Sequence, residues 1–317
     1  MPRRANPSQA RSPAYDRRVD RPLLVLVLLG TAGLAQEIEA VAPRTFESAI
    51  STRYPKDKGI AKDPRVVLHE DFEAKDWARK WSNVKGAGQQ TVVTKKTVHA
   101  GRRALQITAT AGENTGGHLY RMLKPGHDTL FLRFYVRFGK AHGYVHHFVH
   151  LCGYGPPTPW PQGGAGERPA GDKRFSTGIE PTGVRGKHPP PGVWNFYSYW
   201  CEMKRGRDGK FWGNSVRPKP ERKVARDRWT CVEIMLKGND PKKRDGEQAL
   251  WIDGKAAGRW RGYRWRTTAD LKVNAVWMLY YLTGNEARQN RDRRPPAKST
   301  VWFDDIVAAT HYIGPQR

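Results

Sequence analysis

The chain has 317 residues, 38% hydrophobic and 11% aromatic, which is enough apolar mass for a sizeable core and excludes a disordered chain. Its 56 Lys and Arg against 30 Asp and Glu give a net charge of +26, so a polyanionic partner suits it and a polycationic one does not.

The first 35 residues read as a secretory leader. Arg17, Arg18 and Arg21 precede the apolar run Leu23–Leu29, and Gly30-Thr-Ala-Gly-Leu-Ala35 supplies small residues near a cleavage point. The apolar run is too short to span a bilayer, and no Cys follows it directly to take a lipid anchor. This segment holds six Arg and two Asp, so the remainder keeps a charge of +22. The expectation is a secreted or periplasmic monomer, free of the membrane after cleavage, whose partner is an anionic polysaccharide and not nucleic acid.

Residues 36–65 read as a poorly ordered lead-in, and 66–317 as one domain. Strands are expected at 66–73, 90–94, 104–110, 118–122, 130–138, 146–152, 193–203, 229–237, 248–252, 273–282 and 301–308, separated by polar or Gly-rich turns such as Asp253-Gly254. Many short strands with no amphipathic helix and no internal repeat predict an all-β antiparallel β-sandwich. The stretch 155–192 has 18 Gly or Pro among 38 residues and is expected to be one long loop, because Pro and Gly suit a central strand poorly. A second, basic loop at 285–298 carries Arg288, Arg291, Arg293 and Arg294.

The chemistry-bearing residues fall on these strands. In the run 130–138, Leu130, Leu132, Phe134, Val136 and Phe138 share one face, leaving Phe131, Arg133, Tyr135 and Arg137 on the other. That strand is expected to share a sheet with 195–203. His142, His146, His147 and His150 come next, followed by Asn195, Tyr197 and Tyr199 at alternating positions. A sheet face bearing Arg, His, Asn and Tyr can hold an anionic polymer and move protons on it. His147 and His150 have opposite parity on a regular strand, so either a bulge intervenes or only one faces the site. His146 and His150 have the spacing of metal ligands on a helix, but their surroundings read as strand. Cys152, Cys201 and Cys231 read as buried small hydrophobes, with at most one disulfide among them.

Several pieces together resemble the concanavalin-like jelly rolls. They are Val67-Leu-His-Glu-Asp-Phe-Glu73 with a downstream Trp, Arg228-Trp-Thr-Cys-Val-Glu-Ile-Met-Leu-Lys237 followed by Leu250-Trp-Ile-Asp-Gly254, and Met278-Leu-Tyr-Tyr-Leu-Thr-Gly284 followed by Val301-Trp-Phe-Asp-Asp-Ile306. Within that superfamily, His147-Phe-Val-His-Leu-Cys-Gly-Tyr-Gly155 resembles the strand of alginate and glucuronan lyases that carries a basic catalytic residue. His147 stands where a Lys of the alginate enzymes aligns. Asn195-Phe-Tyr-Ser-Tyr199 resembles their Tyr-x-Tyr strand, with Arg185 upstream where an Arg is expected.

The resemblance implies a lyase that cuts a uronate polymer by β-elimination. That chemistry neutralises the C5 carboxylate, removes the C5 proton and protonates the departing O4. Arg185 or Asn195 suits the first task. A histidine of the pair His147 and His150 suits the second, and Tyr197 or Tyr199 the third. Arg133, Tyr135, Arg137, Asn195 and Tyr281 are the expected substrate contacts. No cofactor is required. Related modules hold a structural Ca²⁺ where first and last strands pair, and Glu73 and Asp305 are the candidate ligands here. Two alternatives stay open. In a carbohydrate-binding module the tyrosines would only stack on sugars. A glycoside hydrolase needs two carboxyl groups about 5 Å apart in the retaining case, and Glu180, Glu202 and Glu233 lack an evident partner.

Overall fold

A computed structural model describes residues 38–42 and 49–317; the expected leader lies outside them. Sixteen strands occur in this part. They are β1 (Glu39–Val41), β2 (Val66–Glu70), β3 (Asn83–Lys85), β4 (Thr91–Thr94), β5 (Ala104–Thr110), β6 (Gly116–His127), β7 (Thr129–Phe138) and β8 (Val149–Tyr154). After them come β9 (Arg174–Thr182), β10 (Val193–Tyr199), β11 (Asn214–Val216), β12 (Thr230–Lys237), β13 (Gly246–Ile252), β14 (Lys255–Tyr263), β15 (Val273–Tyr281) and β16 (Lys298–Ala309). One short helix, α1 (Gly284–Gln289), follows β15 and is capped by Thr283 Oγ1 accepting from the Glu286 amide.

The strands form two antiparallel sheets packed as a sandwich. The nine-stranded sheet runs β1-β14-β13-β12-β7-β16-β5-β4, with β2 added on β16. The seven-stranded sheet runs β11-β10-β9-β8-β15-β6-β3. Period-two alternation fills the space between them. Leu130, Leu132, Phe134, Val136 and Phe138 of β7 meet Val149 and Leu151 of β8, Phe196 of β10 and Val276 and Met278 of β15 in one buried core. A polar tie crosses this core: Gln248 Oε1 on β13 accepts from Thr177 Oγ1 on β9 at 2.7 Å and from Ser198 Oγ on β10 at 3.2 Å. Gln248 Nε2 donates to Tyr263 Oη at 2.7 Å, so the buried amide is matched on both sides. The tie fixes β9 and β10 from beneath.

Three expectations are corrected. First, 130–138 and 195–203 lie on opposite sheets, because β7 pairs with β12 and β16 while β10 pairs with β9 and β11. Second, 155–192 is not one loop. Residues 174–182 are the strand β9, with Gly178 in its middle and Pro181 near its end opposite Trp194. Third, residues 49–65 are built into the domain instead of leading loosely into it. Ile50 and Ile60 are fully buried with Phe131, Trp251, Val307 and Ile313 in a second apolar cluster on the outer face of the nine-stranded sheet. Short 3₁₀ turns make this cover, so no strand-like alternation announced it.

Candidate active site

The outer face of the seven-stranded sheet gathers the polar groups. On β10, Asn195, Tyr197 and Tyr199 point outward while Trp194, Phe196 and Ser198 face the core. On β9 the same alternation turns Arg174, Gly178 and Glu180 outward and Phe175 and Ile179 inward. His150 projects outward from β8 and Trp277 from β15; their rings lie 5.5 Å apart.

Both candidate histidines face this site. Regular pairing of β8 begins only at Val149, and His147 sits before it in an isolated bridge to Tyr281. Tyr281 holds that backbone from both sides: its amide donates to His147 O at 3.0 Å, and its carbonyl accepts the His146 and His147 amides at 2.8 and 3.1 Å. The break resets the parity, so His147 and His150 point the same way, with rings 6.1 Å apart. His146 stacks on His147 at 4.3 Å and on Tyr281 at 5.1 Å. His142, by contrast, is a core residue. Its Nε2 pairs with Tyr280 Oη at 2.7 Å and its Nδ1 with Gly143 O at 2.7 Å.

Glu180 is the partner of His147, with Oε2 3.2 Å from Nδ1. Burial disfavours the imidazolium of His147, but the charge and hydrogen bond of Glu180, with the Glu286 charge behind them, outweigh it and raise its pKa above the ordinary value. Burial also raises the Glu180 pKa, and the His147 charge offsets only part of that. Each member of the pair therefore holds a proton more firmly than the free side chain does. His150 behaves oppositely. Burial first, then the His147 charge, push its pKa down to about 3, so it stays neutral. Its ring lies flat over β9, where a Cβ on Gly178 would stand 2.6 Å from Cε1. Only glycine leaves that space.

Burial, the neighbouring Tyr199 hydroxyl and the Glu180 charge all raise the Tyr197 pKa, which keeps its phenol protonated. Its ring lies 5.5 Å from that of His147. Arg174 places its guanidinium 5.8 Å from the Tyr199 ring centroid while donating to Gly164 O and Glu167 O at 2.9 Å.

Two cavities, of ≈ 190 and ≈ 570 Å³, lie along this face. The first is lined by His150, Arg174, Tyr199, Trp277 and the 162–165 segment, the second by Glu180, Asn195, Trp212, Glu286 and Gln289. His147 and Tyr197 line both and form the wall between them. Asn195 is buried, its Nδ2 only 3.4 Å from Ser215 Oγ and its Oδ1 without a partner among the described residues.

The remaining expected contacts lie elsewhere. Arg133 is fully buried on the outer face of the opposite sheet. It pairs with Asp57 and donates to Gly314 O and Asp305 O, both at 3.2 Å. Tyr135 stacks on His99 at 3.6 Å, and Arg137 donates to Asp227 at 2.6 Å. None of the three faces the cavities, because alternation identifies the polar face of β7 without naming its sheet. Arg185 stands in the exposed turn after β9 at φ 58° and lines neither cavity. Glu73 accepts the Arg102 and Arg103 amides, and Asp305 Oδ2 pairs with His99 Nδ1 at 2.7 Å, so each carboxylate already has a protein partner. Glu202 bridges Arg244 and Arg264, and Glu233 accepts the Ile313 and Gly314 amides. Of these three glutamates, Glu180 alone is in the site. Its link to His147, the place of Arg174 and the lining of the second cavity by Glu286 and Gln289 of α1 were not signalled by local sequence. The three cysteines are free thiols.

No protein-family model matches the chain, and no curated protein matches it in sequence. Solved structures do match. The alginate lyase from Chlorella virus is 14% identical with a TM-score of 0.56, over 78% of this chain and 100% of that one. The marine alginate lyase from Aplysia kurodai is 14% identical with a TM-score of 0.54, over 78% and 99%. A variant of alginate lyase Aly36B in complex with alginate tetrasaccharide is 14% identical with a TM-score of 0.53, over 78% and 95%. At this identity the likeness is one of architecture: the chain has the jelly-roll fold on which these polysaccharide lyases are built.

Proposed function

We propose that the protein is a polysaccharide lyase that cleaves a uronate polymer, of the alginate or glucuronan kind, by β-elimination. The observation that carries this reading is the wall shared by the two cavities, where a Glu180-paired His147 stands against the phenol of Tyr197. A sugar chain laid through both cavities crosses these two side chains. His147 is the base. A general base works best with a pKa near the working pH, and a value of about 3 disqualifies His150. Tyr197, held neutral, protonates the leaving O4, and Tyr199 supports its hydroxyl. Asn195 offers its amide to the uronate carboxylate from the second cavity, lowering the cost of the charge that develops at C5. Trp212, 40% exposed at the rim, supplies a stacking face for a sugar ring. Support from the comparisons is limited to the shared jelly roll.

The test is incubation with a panel of polyuronates and neutral glucans, following the ultraviolet absorbance of the 4,5-unsaturated uronate. Absorbance growth with one polyuronate is the expected result. Tight binding of a polyuronate with no unsaturated product would replace this reading with a carbohydrate-binding module.

A further inference from the structure

Three side chains at the shared wall have a capacity that β-elimination does not use. His150 is 6% exposed, and neither of its ring nitrogens has a hydrogen-bond partner among the described residues. Oε1 of Glu180 is also buried without a partner. A neutral imidazole with two unmatched nitrogens, set beside an unmatched carboxylate oxygen, is a costly arrangement in a packed interior. His147 completes the group from the other side of the Glu180 carboxylate.

One nitrogen from each histidine and one oxygen of Glu180 lie within 4.8 Å of one another. Three such atoms share a point within about 2.8 Å of all of them, against metal–ligand distances of about 2.0–2.2 Å for zinc with imidazole and carboxylate. Side-chain rotation of under about 1 Å closes that gap. Two imidazoles and one carboxylate suit a borderline transition-metal ion. Mg²⁺ and Ca²⁺ prefer all-oxygen sites. The supporting framework is rigid. Gly178 seats the His150 ring, Tyr281 pins the His147 backbone, and the Gln248 tie holds β9 from the core side.

We propose that His147, His150 and Glu180 bind one divalent transition-metal ion of the zinc class, and that an ion seated there blocks proton transfer at the shared wall. Binding takes the lone pair by which His147 acts as a base and releases the proton of the His147–Glu180 pair to solvent. The binding site does not depend on the lyase reading; the block on turnover does.

The full chain, stripped with a chelator, is titrated with Co²⁺ and then Zn²⁺ in the absence of substrate. One equivalent of Co²⁺ is expected to develop visible d–d absorption that Zn²⁺ removes, and Zn²⁺ is expected to raise the melting temperature. His150→Ala and Glu180→Gln, each checked for native circular dichroism, are expected to weaken Zn²⁺ binding at least tenfold, while Mg²⁺ produces no shift in any form. Absence of saturable one-equivalent binding overturns the site. So does binding that survives both substitutions unchanged, which would place the ion on surface histidines. Full turnover of a polyuronate at saturating Zn²⁺ overturns the block. The titration needs no substrate, so it decides the site whether or not a polyuronate is cleaved.

Discussion

At the scale of single residues, the site turns on how one carboxylate divides the work of two histidines. Glu180 raises the proton affinity of His147, whereas burial and the His147 charge hold His150 neutral. As a base, His147 must be deprotonated, so kcat/KM is expected to rise with pH through its raised pKa. Glu180→Gln removes the larger raising charge and leaves only that of Glu286 against the lowering effect of burial. The acid limb of the profile, measured with chelator present, is therefore expected to move to lower pH. A limb that stays in place would mean that another group carries the proton. The same pair has a sign in stability. The His147 contribution is fully present below its unfolded value of about 6.5 and is lost as pH rises through the raised folded value. Tyr197→Phe keeps the ring and removes the donor. Turnover is expected to fall by on the order of 10²–10⁴ with KM little changed, and by more than in Tyr199→Phe; steady-state kinetics of both variants check the order. His147, Tyr197, Tyr199 and Asn195 were legible in the sequence because each sits on or beside a strand with clear alternation. Glu180 was visible only as a lone carboxylate, since its partner lies 33 positions away in the bridged segment before β8.

At the scale of elements, the miss with the largest consequence was β9. Its sequence, Arg174-Phe-Ser-Thr-Gly-Ile-Glu-Pro-Thr182, alternates correctly but carries a Gly and a Pro inside a Gly/Pro-rich stretch. The glycine that obscured the strand is the one that gives the His150 ring its place. Gly178→Ala sets a Cβ 2.6 Å from His150 Cε1. The displaced ring is expected to crowd His147, whose ring lies 6.1 Å away, and so to lower turnover by on the order of 10²-fold while the sandwich still folds, with circular dichroism and kinetics as paired readouts. The strand β7 teaches the complementary lesson. Its inward residues were readable, but parity does not say which strands will flank it, so Arg133, Tyr135 and Arg137 were placed on the wrong sheet. Arg133→Ala leaves Asp57 without its buried partner. It is expected to destabilise the fold by about 3–5 kcal/mol, read as a lower denaturation midpoint, with polyuronate affinity of the folded protein unchanged. A selective loss of affinity would return Arg133 to the binding surface.

At the scale of the whole molecule, the sandwich separates two tasks. The nine-stranded sheet is covered by the 49–62 segment and the C-terminal residues around Arg133, and the seven-stranded sheet presents the two cavities. The sandwich class was legible from strand count and alternation, because those depend on local pattern, and the jelly roll from the resemblance of its strand sequences. The covering segment was not, because its burial comes from a few isoleucines in irregular turns. The net charge belongs to this scale as well. Arg133 and Arg137 are engaged by Asp57 and Asp227, so long-range attraction comes from the field of the many remaining cations. Polyuronate affinity is expected to weaken as salt rises, since exposed charges are screened over about 10 Å at 0.1 M; equal low-salt affinity for a neutral glucan would remove this argument. The wall between the cavities has a bulk consequence. A polymer cut where sugars extend to either side is severed in its interior, so its solutions thin early, while few bonds have been broken. A capillary viscometer run beside the absorbance assay should show viscosity collapsing ahead of product. A chain trimmed from its end would lose viscosity only in step with its mass.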